Sequence, residues 1–307
     1  MAKSIFRLAF FILICTYSNA SMTAHRLHAA TKILTGGGFV SAGLVACAYN
    51  KFLINKPIEN EPMPEEVQQF IRNIMRKCGS PNADTLPLVI SETLEGFSWH
   101  SLRGKAIGAP LANINELELA LKQNDEASEA HKKFVSMVIK HELCHNMEND
   151  SNKTAYSLAL IPIVTQSFCT LTSSAINKLF GWRPPQTYTS CFFRSTLNVA
   201  MLAPKVAVAL VGYFWYLQSR EWAADEFACK NAWSRTELDE YQNRFIMNHD
   251  ALVKMMREEG AFNSEEVPPE VEYMGAKIFL LYVDPLHPCY LDRANFIEGF
   301  KQKWDEE

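Results

Sequence analysis

The sequence predicts a mainly helical protein with a small β-sheet, that is, an α+β fold with additional long apolar segments. Three observations support this class. Most polar stretches carry apolar residues at helical spacing, strand-like patterns are confined to residues 85–114, and four long apolar runs occur along the chain. The 307 residues, 48% of them hydrophobic, suffice for one large domain or two smaller ones with a sizeable core.

Composition and charge exclude several kinds of protein. The formal net charge of −4 gives no electrostatic reason to expect a nucleic acid as a partner. The eight cysteines are spread along the chain without a CxxC pair, which argues against a zinc ribbon and against a disulfide scaffold. Several cysteines lie in apolar segments, where small buried thiols are expected.

The first two apolar runs lie near the N-terminus. Residues 1–20 combine two basic residues, an apolar run and small residues at the end, which is the pattern of a secretory signal peptide or a signal anchor. Residues 33–50 contain no charge and form a possible transmembrane helix. A single run of this kind could equally be a buried core helix. Four of them in one chain favour an integral membrane protein.

The other two runs, 154–177 and 195–219, predict an apolar helical hairpin. The first arm is long enough to span a membrane. The second arm is less regular, because Lys205 interrupts it and must reach the interface or a partner helix. Pro204 beside it favours a kink. Basic residues lie near both ends of the hairpin, so they do not decide on which side of the membrane the rest of the chain lies.

Residues 60–130 predict a helix followed by short strands and a second helical region. Pro64 begins the first helix and Gly79 ends it. The stretch TLPLVISET, 85–93, is typical of a strand, and SLRGKAIGAPLANI, 101–114, indicates one or two short strands with glycine turns. An acidic stretch then leads into the helix that carries the most informative motif.

That motif is HELCH, within the predicted helix 128–149. His141 and His145 are four residues apart, so both imidazoles lie on one helical face and can reach one point in space. Glu142 lies about 100° around the helix axis, where a carboxylate can serve as a base outside the metal's ligand set. Zinc hydrolases need this combination of two neutral imidazoles and a nearby carboxylate. The alternative is an ordinary helix with two half-buried histidines.

A third ligand is predicted in SREWAADEFA, residues 219–228. Glu221 and Asp225 are four apart on a predicted helix and share a face. Glu221 can supply the third ligand, and Asp225 can accept a hydrogen bond from a ligand histidine and so fix its tautomer. The alternative is an exposed acidic helix face. The apolar residues around the pair argue against it, because acids within an apolar stripe need a partner.

The order HELCH, two apolar segments, EWAAD and then HPCYLDR (287–293) resembles the membrane-associated zinc endopeptidases that include HtpX and the CAAX prenyl proteases. In that family a helical hairpin separates HExxH from an ExxxD motif. The resemblance covers roughly residues 86–300. It implies a zincin-like (gluzincin) metallopeptidase domain over 60–307, into which the apolar hairpin 154–219 is inserted.

The resemblance also implies roles for individual residues. One zinc ion would be held by His141, His145 and Glu221, with Glu142 as the general base. Two further residues come from the last motif and are described separately: His287 would stabilise the oxyanion, and Arg293 would pair with Asp225.

Both of these last assignments have simpler alternatives, since a histidine before proline is often only a turn residue. The chain departs from the family pattern at Cys144, where the family usually has glycine. We expect this cysteine to pack as a small side chain; the alternative is a thiol near the metal that makes the enzyme sensitive to oxidation.

The resulting expectation is a membrane-associated, zinc-dependent endopeptidase. Its partner would be a protein or peptide substrate, bound in extended form along an edge strand for which AIGAPLANI, 106–114, is the candidate. Protein quality control fits the short chain better than CAAX processing. Two alternatives stay open: a non-catalytic membrane-bound relative that serves as a binding module, against which Glu142 argues, and a soluble zinc protease whose apolar segments form core.

Overall fold

A computed structural model of the chain describes most of its residues. Residues 1–20, for which a signal peptide or signal anchor is predicted, lie outside them. The described ranges are 24–55, 61–91, 100–102, 105–179, 188–261, 267–283 and 287–306.

Over the described residues the protein is mainly helical with one small β-sheet, which confirms the predicted α+β class. Helices are labelled α and strands β in chain order. The strands are β1 (Leu88–Ile90), β2 (His100–Leu102) and β3 (Ala106–Ala109). The helices are α1 (Ala24–Asn55), α2 (Glu65–Lys77), α3 (Leu111–Lys122), α4 (Glu126–Met147), α5 (Asp150–Leu179), α6 (Tyr188–Ala200), α7 (Leu202–Lys230), α8 (Arg235–Glu258), α9 (Pro269–Val283) and α10 (Tyr290–Glu306).

Internal contacts divide the chain into two compact units. The first, which we call the apolar unit, consists of Met1–Leu53 and Thr154–Tyr213. The second, which we call the sheet unit, consists of Ile54–Lys153 and Phe214–Glu307. The sheet unit contains both the HELCH and the EWAAD motifs.

The sheet of the sheet unit has the order β1-β3-β2. β3 pairs in parallel with β1 and antiparallel with β2, so it is the central strand. The prediction that 106–114 forms an edge strand is therefore wrong. The strand part ends at Ala109, and Pro110 precedes helix α3 with its φ of −60°, a position that suits proline because no helical hydrogen bond is lost there. Among the described strands, β2 is the edge strand that contacts the helix carrying HELCH.

The core of the sheet unit lies between the sheet and helices α2, α3 and α4. Ile71 of α2, Ile107 of β3, Ile114 of α3 and Leu143 of α4 are all completely buried in it. The predicted helical spacing in α2 places its apolar residues on this side, as expected. Because Leu143 lies inside HELCH, the motif helix is held against the sheet by the same turn that carries both histidines.

A buried ion pair fixes the other side of α4. The Lys140 ammonium donates to Glu237 Oε2 of α8 over 2.7 Å, and neither side chain is more than 6% exposed. The ammonium also lies 3.9 Å from the ring centre of Trp233, whose backbone N–H donates to the same carboxylate oxygen. Burial lowers the pKa of Lys140 and Glu237 opposes this shift. Removing one partner of such a pair typically costs about 3–5 kcal/mol, so the pair fixes the rotation of α4 about its axis.

Among the described residues, three helices are long and apolar enough to cross a membrane. They cover Ala29–Leu53, Asp150–Ile176 and Phe193–Lys230. Large side chains such as Phe168, Leu171 and Val211 are mostly exposed on them. Exposed apolar surfaces of this kind mark sites of contact with a membrane or with another protein. The predicted runs 33–50 and 195–219 lie within these segments, and the run 154–177 does so except for its last residue.

The last of these segments is not one straight helix. α6 ends at Ala200, a turn follows at Met201, and α7 begins at Leu202. Pro204 explains the break, because it has no N–H to donate to the carbonyl of Ala200 four residues earlier. The neighbouring Lys205 does not lack a partner: its ammonium donates to Gln166 Oε1 of α5 over 3.1 Å. An amide from the first arm of the hairpin thus binds the one charge that interrupts the second arm.

Helices α1 and α5 approach each other closely at Gly43. A Cβ atom placed there would lie 2.6 Å from the carbonyl oxygen of Leu158 and 2.7 Å from Cγ of Pro162. At Gly38 of the same helix, a Cβ would meet nothing within 4 Å. Small residues at such crossings are typical of helix packing in membranes.

These two glycines provide a matched test of the packing of the apolar unit. Gly43→Ala forces a methyl group against a backbone carbonyl, and we expect a loss of about 1–3 kcal/mol, as for other overpacked sites. Gly38→Ala adds the same group to open space and gains helix propensity, so its stability should stay equal or rise by up to about 1 kcal/mol. Unfolding midpoints of both variants in detergent measure the difference. Equal midpoints would show that α1 and α5 are not in this contact.

Candidate metal centre

His141, His145 and Glu221 form a group that could hold a metal ion. The two histidines lie one turn apart on α4, and Glu221 lies on α7. One donor atom from each of the three lies within 4.8 Å of the others. All three side chains are mostly buried, with exposed fractions of 7%, 14% and 14%. The sequence therefore predicted the members of this group correctly as residues that lie together.

The distances within the group suit a small tetrahedral ion. The Nε2 atoms of His141 and His145 are 3.1 Å apart. Oxygens of Glu221 lie 3.3 Å from each of these two nitrogens. A tetrahedral ion bound at about 2.0–2.1 Å would hold its ligand atoms about 3.3–3.4 Å apart. The side chains are thus already spaced as ligands without rearrangement.

The hydrogen bonds of the His141 and His145 imidazoles also suit metal binding. His141 Nδ1 lies 2.8 Å from Asp225 Oδ1, and His145 Nδ1 lies 2.8 Å from Asp150 Oδ2. Carboxylate oxygens can only accept, so each Nδ1 carries a proton, and each ring in its neutral form presents a lone pair at Nε2. Two lone pairs 3.1 Å apart repel each other unless a proton or a metal ion lies between them.

The carboxylate of Glu221 also lacks the partners that a buried acid requires. Its Oε2 atom is buried, and no hydrogen-bond donor reaches it within the described part of the chain. His141 Nε2 lies at 3.3 Å, and in the neutral ring with its proton on Nδ1 this nitrogen has no proton to donate. A buried carboxylate oxygen without a donor is costly, and a cation in the group removes that cost.

Asp225 lies behind His141 and is completely buried. Besides the imidazole, it accepts two hydrogen bonds from Arg293 of α10, over 2.7 and 2.5 Å, and one from the hydroxyl of Tyr241 of α8, over 2.8 Å. Burial, with Asp225 close by, raises the pKa of Tyr241, so the hydroxyl keeps the proton that it donates. Sequence reasoning had paired Arg293 with Asp225 but missed Tyr241, which belongs to no motif.

A second acid, Asp150, lies behind His145 and was also missed. Its carboxylate accepts from Arg220 Nε of α7 over 2.8 Å, and Nη2 of the same guanidinium lies at 2.5 Å. Asp150 is only 6% exposed. The sequence offered one signal for this pair: Asp150 and Arg220 stand close to the outer ends of the two apolar arms, 154–177 and 195–219.

The other two candidate residues lie beside the group. The Glu142 carboxylate accepts from the backbone N–H of Ser101 in β2, with Oε2 at 2.6 Å. Within the sheet, Ser101 is the partner of Ile107. His287 is partly exposed, and its Nε2 lies 3.6 Å from Glu221 Oε2. Both therefore lie where a bound molecule could meet them together with the metal ligands.

Cys144 is buried between α4 and α7. It is 5% exposed, and its Sγ lies 3.8 Å from the carbonyl oxygen of Ala223. Burial, with a contribution from Asp150, raises the pKa of this thiol to about 12. Reaction with oxidants requires the thiolate, which is scarce at neutral pH under these conditions. These observations favour the expectation that Cys144 packs as a small side chain.

Comparison of the chain with protein-family models, with curated proteins and with solved structures gives no match. The function must therefore be argued from the motifs and from the geometry of this site.

Protons and metal compete for the ligand group. Burial alone would lower the pKa of His145, but its hydrogen bonds with Asp150 and Glu221 outweigh burial and raise this pKa to about 10 in the metal-free protein. At neutral pH the metal-free site therefore holds a proton that a metal ion must displace.

We expect metal binding to release at least one proton and to strengthen as the pH rises. Below a pKa near 10, each pH unit should raise the apparent affinity by up to about tenfold for each proton displaced. Calorimetric titrations at one pH, in buffers of different protonation enthalpy, count the protons released. A binding enthalpy that does not change with the buffer would contradict this description of the site.

Proposed function

We propose that this protein is a membrane-anchored zinc endopeptidase. The observation that carries the proposal is a set of two imidazoles and one carboxylate at tetrahedral separations, with Glu142 adjacent on the same helix. Catalytic zinc is held by three protein ligands, two histidines and a glutamate in some hydrolases, with a further position left for water or substrate. The resemblance of the three ordered motifs to HtpX-like and CAAX-type zinc endopeptidases supports the same function, and protein quality control is the role that we propose.

In this proposal His141, His145 and Glu221 hold the zinc ion. When bound, zinc supplies Lewis-acid chemistry: it polarises the scissile carbonyl and makes water acidic enough to act as a nucleophile near neutral pH. Glu142 accepts the proton of the attacking water and passes it to the departing amine. Its Oε2 is held by the Ser101 N–H, so Oε1 is the oxygen that exchanges the proton.

His287 is the residue that we propose for the developing oxyanion. Its ring lies at the accessible side of the group, 3.6 Å from Glu221 Oε2, where an imidazole N–H can donate to a substrate oxygen. Asp225 and Arg293 do not touch the substrate in this scheme. They hold the His141 ring in the tautomer that presents Nε2 to the metal.

The substrate is proposed to bind in extended form along β2. This strand pairs with β3 through one edge only, and among the described strands its other edge has no partner. The Ser101 N–H points from that edge to Glu142, so a peptide added there would place its backbone next to the proposed base. Recognition by main-chain pairing explains why no strongly charged recognition tract is needed in the sequence.

The fold and the apolar helices agree with this function. A helix carrying HExxH that packs on a small mixed sheet suits the gluzincin fold that we propose. Three helices able to cross a membrane would confine the enzyme to membrane-associated substrates.

Replacing Glu142 and Glu221 by glutamine, one at a time, separates their roles. Glu142→Gln keeps the shape and removes the proton acceptor, so zinc should stay bound while cleavage falls by at least about 10²–10⁴-fold. Glu221→Gln removes an anionic ligand, so zinc content and cleavage should fall together. Zinc per molecule and hydrolysis of casein, with and without chelator, are measured on purified protein in detergent.

Each result bears on a different part of the proposal. A Glu142→Gln variant with normal cleavage would refute the peptidase mechanism. Full zinc content and activity in Glu221→Gln would refute the ligand assignment and leave the base intact. Glu226→Gln is a suitable control, because it makes the same change at an exposed acid on the same helix.

Membrane attachment is tested independently of catalysis. With three apolar helices, the full-length protein should stay in the pellet when membranes are washed with alkaline carbonate and should dissolve only in detergent. Release by carbonate alone would show that these helices are core or surface helices of a soluble protein.

A further inference from the structure

We propose that Asp150, held in place by Arg220, is a positioning residue for the metal ligand His145. The inference rests on the proposed metal-binding function. It assigns a role to two residues that lie outside the three motifs. Asp150 is the first residue of α5, and Arg220 lies on α7 immediately before Glu221.

The contacts form a continuous chain of hydrogen bonds to the ligand. Arg220 Nε donates to Asp150 Oδ1 over 2.8 Å, and Asp150 Oδ2 accepts from His145 Nδ1 over 2.8 Å. The two carboxylate oxygens are thus used separately, one for the cation and one for the imidazole. The Asp150 side chain is 9% exposed and that of Arg220 is 19% exposed, so water screens the pair only weakly. Such a contact fixes the ring and raises the basicity of its other nitrogen.

The short segment between α4 and α5 has a backbone conformation that allows this contact. α4 ends at Met147, and Asn149 adopts a left-handed conformation with φ of 55°. Asparagine tolerates this conformation better than most residues. The reversal brings Asp150 back to a residue only five positions earlier in the chain, His145. A simple continuation of α4 would instead have carried Asp150 onward along the helix axis.

His141, the other histidine of the group, is supported in the same way by different residues. His141 is held by Asp225 and Arg293, which lie 84 and 152 residues away in sequence. His145 is held by Asp150 and by Arg220, which lies 70 residues from Asp150. Each imidazole therefore has its own acid, and each acid has its own guanidinium. Loss of Asp150 should release one ligand ring while the support of the other stays intact.

The experiment measures metal binding rather than cleavage. Asp150→Asn removes the charge that orients His145, and Arg220→Gln removes the cation that orients Asp150. We expect the zinc dissociation constant, from competition with a chelator, to rise about 10–100-fold in Asp150→Asn and by a smaller factor in Arg220→Gln. The visible absorption of bound Co²⁺ should shift in both, because it reports ligand geometry. Glu226→Gln, at an exposed acid paired with Lys230, should leave both readouts unchanged.

A double variant keeps the test decisive if Asp150→Asn folds poorly. Asp150→Asn with Arg220→Gln removes both charges together, so no unpaired charge stays buried and the fold is preserved. Weakened metal binding in this variant, with an unchanged unfolding midpoint of the metal-free protein, would support positioning. Unchanged affinity and Co²⁺ spectrum, while the wild type binds metal, would overturn this inference alone. Failure of the wild type to bind metal would overturn the proposed function and this inference together.

Discussion

The sheet unit depends on one buried carboxylate, that of Asp225. It accepts hydrogen bonds from His141 of α4, Tyr241 of α8 and Arg293 of α10, while its own backbone belongs to α7. Four helices that are distant in sequence thus meet at a single acid. A buried carboxylate is tolerated only when its oxygens are satisfied, and here donors from three of those helices meet that condition. The position of Glu221, one turn earlier on α7, is fixed as a consequence.

The candidate ligand group and its surroundings are rich in carboxylates, and a bound divalent cation would offset part of their charge. Four carboxylates lie in or beside the described ligand group: Glu142, Asp150, Glu221 and Asp225. Two guanidinium groups, those of Arg220 and Arg293, face two of these acids. The other two carboxylates, those of Glu142 and Glu221, face no guanidinium group among these contacts, and a bound dication would offset their charge. Protons perform part of this role in the metal-free protein, which is why the pKa of His145 is raised.

The sequence predicted the members of the candidate metal group well because their spacing is local. Residues four apart on a helix share a face wherever the helix lies, and this rule placed both pairs of HELCH and EWAAD correctly. Contacts between residues that are distant in the sequence were harder to predict. The region 106–114 was assigned to the wrong place in the sheet, because the neighbours of a strand depend on residues elsewhere in the chain. Asp150 and Arg220 were missed for the same reason, since 70 residues separate them.

The contacts that fix the rotation of α4 limit any attempt to transfer the HELCH motif to another protein. Lys140 and His141 are adjacent in sequence, yet one is bound by Glu237 of α8 and the other by Asp225 of α7. The direction in which the imidazoles point is therefore set by partners outside the motif. A peptide or a foreign scaffold carrying HELCH alone would have two solvated imidazoles, no third ligand and no fixed tautomer. To keep the geometry of the site, the helices α4, α7, α8 and α10 would have to be transferred together.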